Sequence, residues 1–248
     1  MPIRPPGAPS TVRWSPIAAS LFALAAAGAA LALWPGLDLQ VSAAFYRPGR
    51  GFLFATAPGY EALRAGFELA RRAIGDLVGV FVVAAAVAGG LAARRRGVIL
   101  GTGTRCWAFL LMALLVGPGL LVNVVLKEHW GRARPVDTVP FGGGHTFTAA
   151  LQPSRACAHN CSFVAGDPSL GFYVQAFGYV RRRRQGAWLV GGLAAGGLIG
   201  LLRIGLGAHF LSDVIFCGLL VLGVNAALYL ALFATGHRRA APTPPAPA

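Results

Sequence analysis

The hydrophobic positions of this chain run in long unbroken blocks, and its polar positions gather where the blocks end. Blocks near 15–34, 74–93, 98–126, 163–180, 187–206 and 210–235 each approach the roughly 20 apolar residues that a helix needs to cross a bilayer. The pattern predicts an all-α, polytopic bundle of six transmembrane helices. One membrane domain then occupies 15–235, behind a cytoplasmic segment at 1–14 and ahead of a cytoplasmic tail at 236–248, whose APTPPAPA ending has the composition of disorder. The first block is long and no clear small-residue cleavage site follows it, which favours a retained anchor over a cleaved signal peptide. External loops are expected at 35–73 and 127–162. In the first of these, LDLQVSAAFYRPGRGFLF carries Pro and Gly turn signals, and YEALRAGFELARR places apolar residues at helical spacing beside charges. An amphipathic helix resting on the membrane surface is the expectation there, with a cover over the site as the second reading.

Composition supports a membrane protein, with 56% of residues hydrophobic and only 12% charged. The net charge of +14 would suit nucleic acid if it formed a soluble basic domain, but it is divided among short loops, so no nucleic-acid partner is expected. Arginine near span ends is retained on the cytoplasmic side. Arg4 and Arg13, Arg94 to Arg96, Arg181 to Arg184, and Arg238 with Arg239 all fall on one side of a six-span bundle, with anionic headgroups as secondary contacts. Arg71 and Arg72 fall on the other side, where Glu68 and Asp76 partly offset them.

That topology brings three distant groups of polar residues to the external face: Lys127 with Arg134, Gly166 with Asp167, and Arg203 with His209 and Asp213. Three cations suit phosphate oxygens, and a histidine whose other nitrogen is held by a carboxylate can attack phosphorus. His209 and Asp213 are four residues apart and share a helix face, while Gly205 and Gly207 permit a break after Arg203. Gly166 allows backbone approach to a phosphate at a helix start. Asp167 is read either as a proton donor to the leaving oxygen or as a helix N-cap. Taken singly, Lys127 and Arg134 would be interfacial anchors and Arg203 with Asp213 a structural ion pair; the ordered constellation is what makes them a site. Cys157 and Cys161 are spaced for a small disulfide loop in an oxidising compartment, a reading preferred to a metal site with His159, which lacks further ligands. His145 is read as a solvated loop histidine, while Cys106 and Cys217 are packing residues within spans. No metal or cofactor is expected.

The motifs resemble those of the type 2 phosphatidic acid phosphatase superfamily, the PAP2 membrane phosphatases. KEHWGRARP matches its first motif, a Lys separated by six residues from Arg-Pro, at Lys127 to Pro135. RIGLGAHFLSD matches the third, Arg, five residues, His, three residues and Asp, at Arg203 to Asp213; Leu202 stands where the family has a Ser. The middle motif departs, with Val164-Ala165-Gly166-Asp167 in place of Pro-Ser-Gly-His, and is similar to a variant found in bacterial lipid A phosphatase-like members. The resemblance covers about 74–235 and implies the family's six-helix fold.

Function follows as an expectation: a metal-independent phosphatase acting on a phosphorylated membrane lipid through a phosphohistidine at His209, at the periplasmic face of the bacterial inner membrane. Lipid A phosphate is the preferred substrate, followed by undecaprenyl diphosphate and phosphatidylglycerol phosphate. A lipid phosphotransferase and a non-catalytic lipid-phosphate binder or transporter are the competing readings, the latter motivated by Ala165 and Asp167.

Overall fold

The computed structural model describes residues 12–233; Arg4, Arg238, Arg239 and the expected tail lie outside the described residues. The chain runs through α1 (Trp14–Leu33), α2 (Gly36–Ala44), a hairpin of β1 (Tyr46–Arg47) and β2 (Gly51–Phe52), α3 (Leu53–Thr56), and α4 (Glu61–Arg94). A second hairpin of β3 (Val98–Ile99) and β4 (Thr102–Gly103) leads into α5 (Thr104–Leu114), which continues as a π-helix (Leu115–Leu126) and α6 (Lys127–His129). After a long loop come α7 (Gly166–Tyr173), α8 (Phe177–Val180), α9 (Gln185–Gly205) and α10 (Leu211–Phe233). Both hairpins are antiparallel, with Tyr46 opposite Phe52 and Val98 opposite Gly103.

Among the described residues, five helices are long and apolar enough to cross a membrane: Trp14–Leu33, Glu61–Arg94, Thr104–His129, Arg182–Gly205 and Leu211–Phe233. The segment expected at 163–180 is helical only from Gly166 to Val180, with a 3₁₀ turn at Val174–Ala176. At 1.5 Å per residue it spans about 22 Å, short of the roughly 30 Å of hydrocarbon. It runs from the site end to Arg181 through the buried centre of the bundle, with Phe172, Tyr173, Ala176 and Tyr179 in the main core beside Phe109, Leu114, Cys217 and Val221.

Two further expectations change. YEALRAGFELARR is not a separate surface helix but the first part of α4, a single helix of 34 residues. It contains no Pro to break it and, at about 51 Å, overreaches the hydrocarbon at one end. The block at 98–126 begins with the β3–β4 turn, so its helix starts at Thr104 and ends at His129. Within it Pro118 has no N–H to give, the helix widens to π geometry, and the Asn123 side chain donates to the Pro118 carbonyl at 2.7 Å.

Close packing of α7 against α9 sets the frame for the site. Gly192, Gly196 and Gly200 recur every four residues on α9 and are buried. A Cβ at Gly196 would strike the Phe172 ring, and one at Gly200 would strike Val214. Small residues at this spacing let helices approach in lipid, where no hydrophobic force draws them together.

Candidate active site

Except for Arg134, each functional side chain stands at or beside the end of a helix. Lys127 closes the α5 run and Gly166 opens α7. A Cβ at position 166 would lie 2.8 Å from Lys127 Nζ and 2.7 Å from Asn123 Oδ1, so only glycine leaves the ammonium that place. Arg203 lies in the last turn of α9, and its Nε is 3.1 Å from Asp167 Oδ2 in the first turn of α7. The N-cap position of α7 is Ala165, which makes no side-chain cap bond; Asp167 is therefore the partner of Arg203 and not a cap. Arg134 sits in the loop, donates to the Asn160 carbonyl at 2.8 Å and acts electrostatically on both Lys127 and His209.

α9 ends at Gly205, and Gly207 turns the chain with φ of 70°, a left-handed conformation suited to glycine. The turn delivers His209 to the mouth of α10, where it is fully buried. Its Nδ1 is 2.8 Å from the Ser162 carbonyl oxygen, whereas Asp213 Oδ2 is 3.7 Å away. A carbonyl can only accept, so Nδ1 carries the hydrogen and Nε2 is left with its lone pair. Among the described residues Nε2 has no hydrogen-bond partner. The direct Asp213 bond expected from the sequence is thus relayed through Ser162. Burial pulls the imidazole below its ordinary value, with Asp213 opposing.

Asp213 is itself saturated. Its Oδ2 accepts from Ser162 Oγ at 2.6 Å and from the Phe210 N–H at 2.8 Å, and its Oδ1 accepts from Arg132 Nη1 at 2.5 Å. Arg132 is fully buried, its guanidinium 4.3 Å from the centroid of the Phe210 ring. The same guanidinium donates through Nε to the Thr148 carbonyl at 2.9 Å, through Nη1 to Ser212 Oγ at 2.8 Å and through Nη2 to Asp38 Oδ2 at 2.8 Å. Asp38, buried in α2, also accepts from the Ser212 N–H at 2.8 Å and from Ser212 Oγ at 2.5 Å. Burial raises its carboxyl above the usual range and Arg132 pulls the other way. All its hydrogen-bond neighbours are donors, the pattern of an ionised carboxylate.

Sequence reasoning missed Arg132, Ser162, Ser212 and Asp38. Cys157 and Cys161 are joined by a disulfide immediately before Ser162, and the Cys161 N–H donates to the Lys127 carbonyl at 2.9 Å. His159 is paired with Glu128 at 3.2 Å, and His145 stays exposed while its backbone pairs with Asp137 and Val139. Beside Asp167 and Arg203 a cleft of about 830 Å³ opens between α4, α7 and α9, lined by Leu63, Phe67, Arg71, Asp167, Leu170 and Leu202.

A family model described as the PAP2 superfamily matches residues 105–238, more than half of the chain and all six charged or titratable residues from Lys127 to Asp213 that the motifs predicted. The chain belongs to the PAP2 superfamily. PAP2 relatives include a lipid A 4'-phosphatase of Francisella tularensis subsp. novicida, 44% identical over 115 residues, which are 46% of this chain and 52% of that protein. A lipid A 4'-phosphatase of Rhizobium etli is 42% identical over 128 residues, 51% of this chain and 50% of the relative. A phosphatidylglycerophosphatase B of Bacillus subtilis is 30% identical over 123 residues, 48% of this chain and 57% of the relative. The chain spans about half the length of the curated relatives it matches. No solved structure matches it. The PAP2 match excludes α1 to α4, so Asp38 and the α4 wall of the cleft come from outside it.

Proposed function

We propose that this protein is an integral membrane lipid-phosphate phosphatase, with the phosphate of lipid A as its preferred substrate, working through a phosphohistidine on His209. The observation that carries the reading is the state of His209: buried, its Nδ1 hydrogen committed to Ser162, and its Nε2 lone pair free of any bond among the described residues. Lys127, Arg134 and Arg203 would neutralise the non-bridging phosphate oxygens as Nε2 bonds to phosphorus and the bond to the lipid oxygen breaks. Asp167 aligns Arg203 until the phosphate takes over the guanidinium; its freed carboxylate then takes the proton carried by the bound hydrogen-phosphate group and passes it to the departing lipid oxygen. Water next attacks phosphorus, His209 leaves, and inorganic phosphate is released. No step needs a metal or cofactor.

The apolar cleft beside Asp167 suits acyl chains, with their phosphorylated head turned toward Arg203. The names of the relatives support both lipid A and phosphatidylglycerol phosphate as substrates, and lipid A is preferred because its 4'-phosphatases share 42% and 44% identity with this chain. Undecaprenyl diphosphate fits the same chemistry. We place the protein in the bacterial inner membrane with the site facing the periplasm.

The test is phosphate release by the purified protein from these three lipids and phosphatidic acid, with chelator present and His209→Ala alongside. Release confined to lipid A and abolished in His209→Ala is expected. Phosphate moved onto a second lipid would instead assign a phosphotransferase, and binding with no release or transfer would assign the silent binder.

A further inference from the structure

We infer that Arg132 and Asp38 are positioning residues for the proposed reaction: a buried, charge-balanced brace that holds Asp213, and through Ser162 the imidazole of His209, so that α2 is part of the active centre. The inference rests on the phosphohistidine reading and goes beyond it, because both residues are fully buried, every guanidinium nitrogen of Arg132 is bonded within the protein, and Asp38 lies outside the region matched by the family.

The geometry is a relay. Arg132 bonds to one oxygen of Asp213 and Ser162 Oγ to the other; the Ser162 carbonyl then takes the His209 hydrogen, and the Ser162 N–H returns to the Arg132 carbonyl at 2.9 Å. Ser162 is therefore fixed at three points, all set by Arg132 or by the pair it braces. A single carboxylate is enough to neutralise the charge of Arg132. It has two, one from α10 and one from α2, and the α2 carboxylate also holds Ser212 by both its N–H and its hydroxyl. Phe52, Phe141 and Phe210 pack together on this side, with Phe52 and Phe141 centroids 5.3 Å apart, and shield the network from water. In such surroundings a charge that loses its partner acts on its neighbours at short range with little screening.

The charges facing His209 are Asp213 from α10, Arg203 from α9 and Arg134 from the loop, with Lys127 and Asp167 beyond them. Arg132 and Asp38 act on this set through Asp213. Removing the negative charge of Asp38 leaves Arg132 less neutralised and disfavours the imidazolium. Removing the positive charge of Arg132 does the opposite. Two changes to one brace therefore shift the titration of His209 in opposite directions, an outcome that simple loosening of the fold does not produce.

The experiment compares the full-length protein with Asp38→Asn, Arg132→Gln and Arg132→Lys in detergent, using lipid A as probe. It reads kcat, KM and the acid limb of kcat/KM, together with the imidazole titration of His209 by nitrogen-15 histidine NMR, assigned by its loss in His209→Gln. Asp38→Asn and Arg132→Gln should each lower kcat by roughly 10- to 100-fold, the usual cost of losing a partner that orients a reacting group, with KM little changed. The acid limb and the His209 titration should move down in Asp38→Asn and up in Arg132→Gln, each by about one pH unit. Arg132→Lys should restore the unmodified titration without restoring full kcat, since it keeps the charge and loses the fork. If Arg132→Gln does not fold, Asp38→Asn and Arg132→Lys decide the question. Titrations that stay in place, or move in the same direction, overturn the inference even where phosphate release is normal. A protein that releases no phosphate from any lipid sinks the phosphatase reading, while the NMR titrations still test the brace.

Discussion

At the scale of single residues, the site turns on where one hydrogen sits. The Ser162 carbonyl binds Nδ1–H of His209 and leaves Nε2 with its lone pair, the atom proposed to attack phosphorus, while burial favours the neutral ring. In the proposed mechanism the neutral ring is the reactive one, so the acid limb of kcat/KM should lie below the ordinary histidine value of about 6.5. The sign for stability follows from the same shift. An unfolded chain takes up a proton at His209 as the pH falls through about 6.5 and the folded chain only at lower pH, so stability present at neutral pH is lost as the pH falls below that value. Thermal midpoints in detergent should fall from pH 7.5 to about pH 5.5 by less in His209→Gln than in the unmodified protein, because the glutamine does not titrate. Equal falls in both would show that other groups set the acid sensitivity.

At the scale of elements, α7 is held short by what precedes it. The apolar stretch CSFV reads as the start of a membrane span, yet the chain stays non-helical through Ala165 because Ser162 serves His209 and Asp213, and the Ala165 N–H donates to the Asp213 carbonyl at 3.2 Å. Tertiary bonds override local preference here, and no periodicity records them. The motif residues were legible for the opposite reason: Lys127, Arg134, Arg203, His209 and Asp213 are charged or titratable groups at fixed spacings beside apolar blocks. Arg132 was hidden by its neighbour Arg134, and Asp38 by its place in a segment read as interfacial. The one signal open to sequence reading was the scarcity of acids, eight in the chain, which makes an aspartate set between apolar residues worth pairing with a buried cation. The glycine row of α9 gives a direct test of the α7–α9 contact. Gly196→Val should cost at least about 1–3 kcal/mol through overpacking against Phe172. Gly191→Ala, on the same helix with nothing within 4 Å of its Cβ, should be neutral or stabilising by up to about 1 kcal/mol. Thermal midpoints of the two variants check this, and equal losses would mean that the contact with Phe172 does not set the cost.

At the scale of the whole molecule, one helix carries the argument about orientation. α9 begins after Arg182 to Arg184 and carries Arg203 in its last turn, so the arginine cluster and the site lie about 30 Å apart on opposite sides of the hydrocarbon. The loop after α4 belongs with the cluster, because Arg181 Nη2 donates to the Leu100 carbonyl at 2.9 Å. Arg94 to Arg96 therefore share a side with Arg181 to Arg184, as retention of cytoplasmic arginine requires. Arg71 departs from that bias, but α4 overreaches the membrane and places it along the cleft, paired with Glu68 at 2.9 Å. Cysteine placed at Gly144, in the exposed loop on the site's side, should react with a membrane-impermeant thiol reagent in intact cells whose outer membrane has been opened. Cysteine placed at Gly97, between Arg96 and β3, should react only after the inner membrane is breached. The background is the chain carrying Cys106→Ser and Cys217→Ala, so that no native free thiol competes. Reversed labelling would turn the site toward the cytoplasm and overturn the proposed periplasmic orientation.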